Sequence, residues 1–151
     1  MAARSPRRPE APPALSDCAC FSARNAARAI TELYDEALAP EGLRIHQFAM
    51  LAAIHTRQGG SMQTIASDLG LDPSTMTRVL RPLVDDGLVD VAPGENRRAK
   101  ELTLTERGRA KMRTAHPLWQ GVQDDLRERL GAEVFDRLLG DLHRLRDALR
   151  P

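Results

Sequence analysis

The chain has 151 residues, 22 of them basic and 21 acidic, for a formal net charge of +1. That length suits one ordinary domain with its own core. The balanced charge excludes binding by bulk charge alone, so only a clustered basic surface would matter. Aromatic residues make up 3%, so the core must rest on Leu, Ile, Val, Ala and Met, which favours helices over a sheet sandwich.

Residues 1–15 read as a disordered, basic and Pro-rich arm, with almost nothing to bury. Such an arm is either a solvated tail or a strand of charge that brushes phosphates. It lacks the apolar stretch of a secretory signal. The longest apolar run, Phe48 to Ile54, is far shorter than a membrane span. With only two cysteines, the expectation is a cytoplasmic protein with free thiols and no membrane partner.

A long helix is predicted from Ser16, its N-cap, to about Ala39, with Ile30, Leu33, Ala37 and Leu38 as its apolar stripe and "APEG" as its stop. A second helix runs from about Ile45 to Thr56, burying Phe48, Leu51, Ala52 and Ile54, and "RQGG" ends it. In the stretch "SMQTIASDLGLDPSTMTRVLRPLVDDGLV", Ser61 caps a short helix over Met62 to Leu69. Gly70 supplies the left-handed turn after it. Asp72 caps the next helix, and Pro73 takes its first position, where a missing N–H costs nothing. Two helices joined by a tight Gly-containing turn make a helix-turn-helix candidate.

After Gly87 the apolar period changes from helical to alternating. "LVDVA" and "KELTL" read as two short strands around the charged tip "PGENRRAK". A hairpin directly after a helix-turn-helix makes a winged helix. Thr105 caps a long helix to about Arg129, broken by "RLGAE". A last helix carries Val134, Leu138, Leu142, Leu145 and Leu149, with Phe135 and Leu139 alongside. That stripe is too apolar to leave in water, and the first helix of another subunit is the economical cover. The expected fold is therefore mainly α with a small β wing. Residues 16–151 form one domain: 44–104 are a winged helix-turn-helix, and 16–39 and 106–150 are N- and C-terminal dimerisation helices.

The pieces "LDPSTMTRVLRPLVDDGLV" and "NRRAKELTLTERG", in this order and spacing, resemble the MarR family of winged-helix transcription regulators, and the resemblance runs from Ser16 to the end. It implies a homodimer, two DNA-binding lobes, double-stranded DNA with an inverted repeat as partner, and no enzymatic activity. One departure is Asn96, where the family usually has an Asp that orients the wing arginine, here Arg98.

The candidate DNA-binding residues are Ser74, Thr75, Thr77, Arg78 and Arg81 on the recognition helix and Arg97, Arg98 and Lys100 on the wing. Short hydroxyl side chains let a helix approach the major groove, where they bond to phosphates or base edges. An arginine there can bond guanine twice, and a wing tip suits a minor groove or phosphates. The plainer reading makes "PST" a cap and the arginines a solvated face. A two-fold dimer implies half-sites roughly 34 Å apart. Pro82 removes the hydrogen bond to the Arg78 carbonyl within the helix.

Two signals compete as the effector. One is a small phenolic or apolar acid anchored by Arg28, His46 and His55, although each also reads as an ordinary surface residue. The other is an oxidant acting on Cys20, which lies in a first helical turn, where the dipole favours a thiolate, with Arg24 one turn on. Residues two apart on a helix point about 200° apart, which argues against a Cys18–Cys20 staple. The four histidines show no ligand spacing, so neither a metal nor another cofactor is expected. The first helix also resembles the organic-hydroperoxide-sensing branch of the family. Aligning Cys20 with that branch's reactive cysteine places Arg28 and Tyr34 on matching residues, while Ile45 and Arg24 stand where those relatives have further tyrosines. The resemblance implies that Tyr34 bonds the partner subunit's thiol, with Cys18 as a possible resolving thiol. A small, inert, buried Cys20 is the alternative. Rivals from other classes are a thiol peroxidase and a winged helix used for protein interaction.

Overall fold

A computed structural model describes residues 15–94 and 99–149. The elements are α1 (Ala19–Leu38), α2 (Ile45–Arg57), β1 (Gly60–Ser61), α3 (Met62–Leu69), α4 (Pro73–Asp85), β2 (Val89–Pro93), β3 (Lys100–Leu104), α5 (Glu106–Leu130) and α6 (Ala132–Ala148). Two compact units divide the chain within α1, one ending at Glu32 and one beginning at Leu33. No described helix is long and apolar enough to cross a membrane.

In the first unit, α1 starts later than Ser16. A 3-10 turn over Leu15–Asp17 comes first, and the Cys18 carbonyl accepts the first helical bond, from the Ser22 N–H at 3.0 Å. Cys18 thus stands at the N-cap, outside the helix.

The second unit holds the winged helix. Its core gathers Leu38, Met50, Leu51, Ile54, Ile65, Met76, Leu83 and Leu102, all at most 1% exposed. Local chemistry sets the ends of its helices. The Ser61 Oγ accepts the Thr64 N–H, and Gly70 takes the left-handed conformation at the end of α3. Thr105 accepts the Gly108 N–H at the start of α5. Helix α2 ends within "RQGG", as expected: Gln58 takes the left-handed turn at φ 57°, and Gly59 leads into β1.

The sheet has the order β1-β3-β2, all antiparallel. The hairpin pairs Val89 with Leu104 and Pro93 with Lys100. Strand β1 is an addition to the sequence reading; Gly60 and Ser61 pair with Leu102 and Glu101. This third strand ties the start of the helix-turn-helix to the base of the wing.

The start of α2 is capped from a distance. The Asp35 carboxylate, on α1, accepts from the Ile45 N–H at 2.8 Å and from Arg44 Nη1 at 3.1 Å. Lys111 of α5 donates to the carbonyl and carboxylate of Glu41 in the α1–α2 turn, both at 3.0 Å. Helix α6 turns back on α5 after Gly131. Phe135 is buried, Arg127 lies 4.9 Å over its ring, and Arg127 also pairs with Asp136. Val134, Leu138, Leu139, Leu142, Leu145 and Leu149 remain 38–74% exposed in the single chain.

Candidate nucleic-acid interface

Helix α4 is two-faced. Met76, Leu80 and Leu83 are buried, a spacing of four and three that lines one side. Ser74, Thr77, Arg78 and Arg81 lie exposed on the other side, and Thr75 is half-buried between them. Arg81 pairs with Asp85 one turn on, at 3.7 Å in solvent, whereas Arg78 has no acidic partner among the described residues. That leaves Arg78 as the freer of the two cations.

The helix begins at a hydrogen-bonded hub. Asp72 Oδ1 accepts the N–H groups of Ser74 and Thr75 at 2.9 and 3.0 Å and the Ser74 hydroxyl at 2.5 Å; Oδ2 accepts the Thr75 hydroxyl at 2.6 Å. These bonds, the Ser74 hydroxyl first and the Thr75 hydroxyl next, hold the Asp72 carboxyl well below the usual carboxylate range. The Thr77 hydroxyl donates to the Pro73 carbonyl at 2.9 Å. The sequence marked Asp72 as a cap only. An acid at the cap with hydroxyl residues two and three positions later is the signal that could have shown the hub.

The wing stands beside this helix. Its hairpin closes with the Gly94 N–H on the Ala99 carbonyl at 2.7 Å, and Lys100 is exposed at the start of β3. Arg97 and Arg98, with Glu95 and Asn96, lie outside the described residues. An open cleft of about 1150 Å³ runs between α3, the start of α4 and the tip end of β3, lined by Met62, Ala66, Leu71, Met76 and Lys100 among others.

A model of the MarR family matches residues 43–100, the stretch that holds these elements. The M. tuberculosis transcriptional regulator MosR, solved in complex with DNA, is 38% identical with a TM-score of 0.77, covering 89% of this chain and 100% of that one. The chain belongs to the MarR family. Among other MarR-fold relatives, the transcriptional repressor CouR bound to a 23-mer DNA duplex is 28% identical with a TM-score of 0.80, covering 87% of this chain and 94% of that one. CouR from Rhodococcus jostii RHA1 has also been solved with p-coumaroyl-CoA. The transcriptional regulator PetP of Rhodobacter capsulatus is 41% identical over 56 residues, which are 36% of this chain; the match spans 34% of PetP's length.

Within this MarR frame the residues suggested for sensing lie at the start of α1, along α1 and on α2. Cys18 and Cys20 are free and exposed. Because Cys18 precedes the helix, helical phase does not set the angle between the two thiols, and the 200° argument lapses. Tyr34 is 7% exposed in its own chain, and burial pushes its phenol up from the usual value, so it stays protonated and able to donate. Arg28 is exposed and pairs loosely with Glu32 at 3.9 Å. His46 and His55 are exposed on α2 and nine residues apart, which puts them on opposite sides of that helix. Neither lines the cleft beside the wing.

Proposed function

We propose that the protein is a homodimeric transcription regulator that binds an inverted-repeat operator and acts as a repressor. The carrying observation is helix α4, with its hydroxyl and arginine side exposed next to a wing, in a chain akin along its length to a regulator solved on DNA. In this reading α4 enters the major groove, the wing arginines and Lys100 meet the backbone or minor groove, and residues 16–39 and 106–150 build the dimer. Binding is tested by fluorescence anisotropy on the DNA upstream of the protein's own gene, across a salt series. Removing Arg78 or Arg98 is expected to weaken binding and to flatten the salt slope by about one unit for each phosphate no longer neutralised. Failure to enrich any duplex from a genomic library, with dimerisation intact, would favour a protein-interaction module instead.

The releasing signal is proposed to be oxidation of Cys20, supported by the exposure of both thiols. A hydroperoxide converts the thiolate to a sulfenic acid and leaves as the alcohol. Peroxide is expected to free the wild type from DNA and to leave Cys20→Ser bound. A Cys20→Ser protein that lets go as readily would sink the redox reading. The second reading, a small-molecule effector, draws on CouR and its acyl-CoA; release by phenolic acids or their CoA thioesters, without oxidant, would favour it. Steady turnover of peroxide with a dithiol would point to a peroxidase.

A further inference from the structure

All three hydroxyls near the start of α4 give their protons to the protein itself. Ser74 and Thr75 donate to the Asp72 carboxylate, and Thr77 donates to the Pro73 carbonyl. An ionised carboxylate only accepts, and a carbonyl only accepts, so neither bond can be reversed in direction. Each hydroxyl has one proton. Once that proton is committed, only lone pairs are left to face outward.

Phosphate oxygens are also acceptors. A hydroxyl in this state offers a phosphate nothing, and the Asp72 charge adds repulsion. Base edges differ. In the major groove adenine presents an N6 amino donor where guanine presents an O6 acceptor, and cytosine presents an N4 donor where thymine presents an O4 acceptor. On the exposed side of α4 the strong donors are Arg78 and Arg81, the latter beside Asp85 at 3.7 Å in solvent.

The geometry points to Asp72 as a specificity-determining positioning residue: by taking the protons of Ser74 and Thr75 it makes the tip of the recognition helix an acceptor surface that selects amino-bearing bases, adenine over guanine and cytosine over thymine, rather than phosphates. This rests on the DNA-reading role proposed above for α4, and on the family placement and DNA-bound relatives that support that role. It narrows the sequence reading, in which the same hydroxyls bond to phosphates or base edges. Arg78, with donors only, takes guanine or the backbone.

Asp72→Asn tests the polarity with little change in shape. Asparagine is as good an N-cap as aspartate and keeps an oxygen for the Ser74 and Thr75 N–H groups. Its amide nitrogen, a donor, then faces the Thr75 hydroxyl in place of an acceptor, and that hydroxyl must turn its proton outward. Thr75→Val removes the hydroxyl at constant shape and serves as the second variant. Wild type, Asp72→Asn and Thr75→Val are each used to select duplexes from a randomised library, and the enriched site is then re-measured with single A-to-G and C-to-T transitions. The wild type is expected to lose roughly 2- to 10-fold in affinity at one or more transitions. At least one of these transitions, the one read through Thr75, should become neutral in Thr75→Val, and neutral or reversed in Asp72→Asn. Circular dichroism confirms that each variant is folded. If both variants keep the wild-type preference at every position, the inference fails while the DNA reading stands. If the wild type enriches no sequence, both fail together.

Discussion

Gly108 sits in the first turn of α5 with the Leu88 carbonyl so close that an added Cβ would lie 2.1 Å from its oxygen. No rotamer relieves that, because the offending atom is backbone at the exit of the recognition unit. Thr105 completes the junction: its hydroxyl donates to the Gly87 carbonyl at 2.7 Å and accepts the Gly108 N–H at 2.9 Å, and its own N–H bonds the Leu88 carbonyl at 3.2 Å. Three hydrogen bonds thus tie the residues just before β2 to the start of α5, and so hold the base of the wing beside α4. Gly108→Ala is expected to cost about 1–3 kcal/mol of stability. Thr105→Ala should cost about 1 kcal/mol, as for the loss of a side-chain cap, and Thr105→Ser should recover most of it. Urea unfolding followed by the fluorescence of Trp119, the single tryptophan, which stacks on the buried Phe48, reads both values. An unchanged midpoint in Gly108→Ala would show that the start of α5 can draw back from Leu88 at no cost.

At the scale of elements, two polar clamps set how α2 and α5 meet the α1–α2 corner. The first is Asp35, whose carboxylate caps α2 in place of Arg44, a residue with no cap to offer of its own. Asp35→Ala should cost about 1 kcal/mol, whereas Asp35→Asn, still able to accept from the Ile45 N–H, should cost less. The second clamp is Lys111 on Glu41. The Lys111 hydrogen bond, then that of Thr114, holds the Glu41 carboxyl below its ordinary value. A carboxyl with a depressed folded value binds fewer protons folded than unfolded. Its stabilisation is therefore full above the ordinary carboxylate range, near pH 4.3, and is lost as the pH falls through the folded value. Thermal melts from pH 7 to pH 3 should show a steeper fall in Tm for the wild type than for Glu41→Gln. Parallel curves would mean that the pair contributes nothing to stability. These clamps also mark what a sequence can and cannot reveal. Ser61, Gly70, Asp72, Pro73 and Thr105 were legible because each bonds within a few residues of itself. Asp35 over Ile45, Lys111 on Glu41 and the pairing of β1 with β3 join positions far apart in the chain, and no local pattern carries them. On α4, Ser74, Thr77, Arg78 and Arg81, singled out in the sequence, lie exposed; the direction of the hydroxyl protons came only with the positions of Asp72 and Pro73.

On the whole molecule, the deciding feature is the outer side of α6. Phe135 and the Arg127–Asp136 pair fasten the start of this helix to α5, so its orientation on α5 is set within one chain. Val134, Leu138, Leu139, Leu142 and Leu145 nevertheless stay 38–49% exposed. They recur at helical spacing and form one contiguous apolar side, larger in character than the scattered exposed leucines of a monomer. A second copy is the cover proposed above, and two-fold pairing would place two copies of α4 on one side of a duplex. Replacing Leu138 and Leu145 together with Glu should leave the single chain folded, since both are already exposed to more than a third. It should abolish self-association in sedimentation equilibrium. Operator affinity should then fall by about 100-fold or more, because the second half-site is no longer held at high effective concentration. Affinity for an isolated half-site should stay where it was, since α4 and the wing are untouched. A double variant that sediments as a dimer would move the interface elsewhere; one that is monomeric yet binds the full operator at wild-type strength would separate DNA binding from dimerisation.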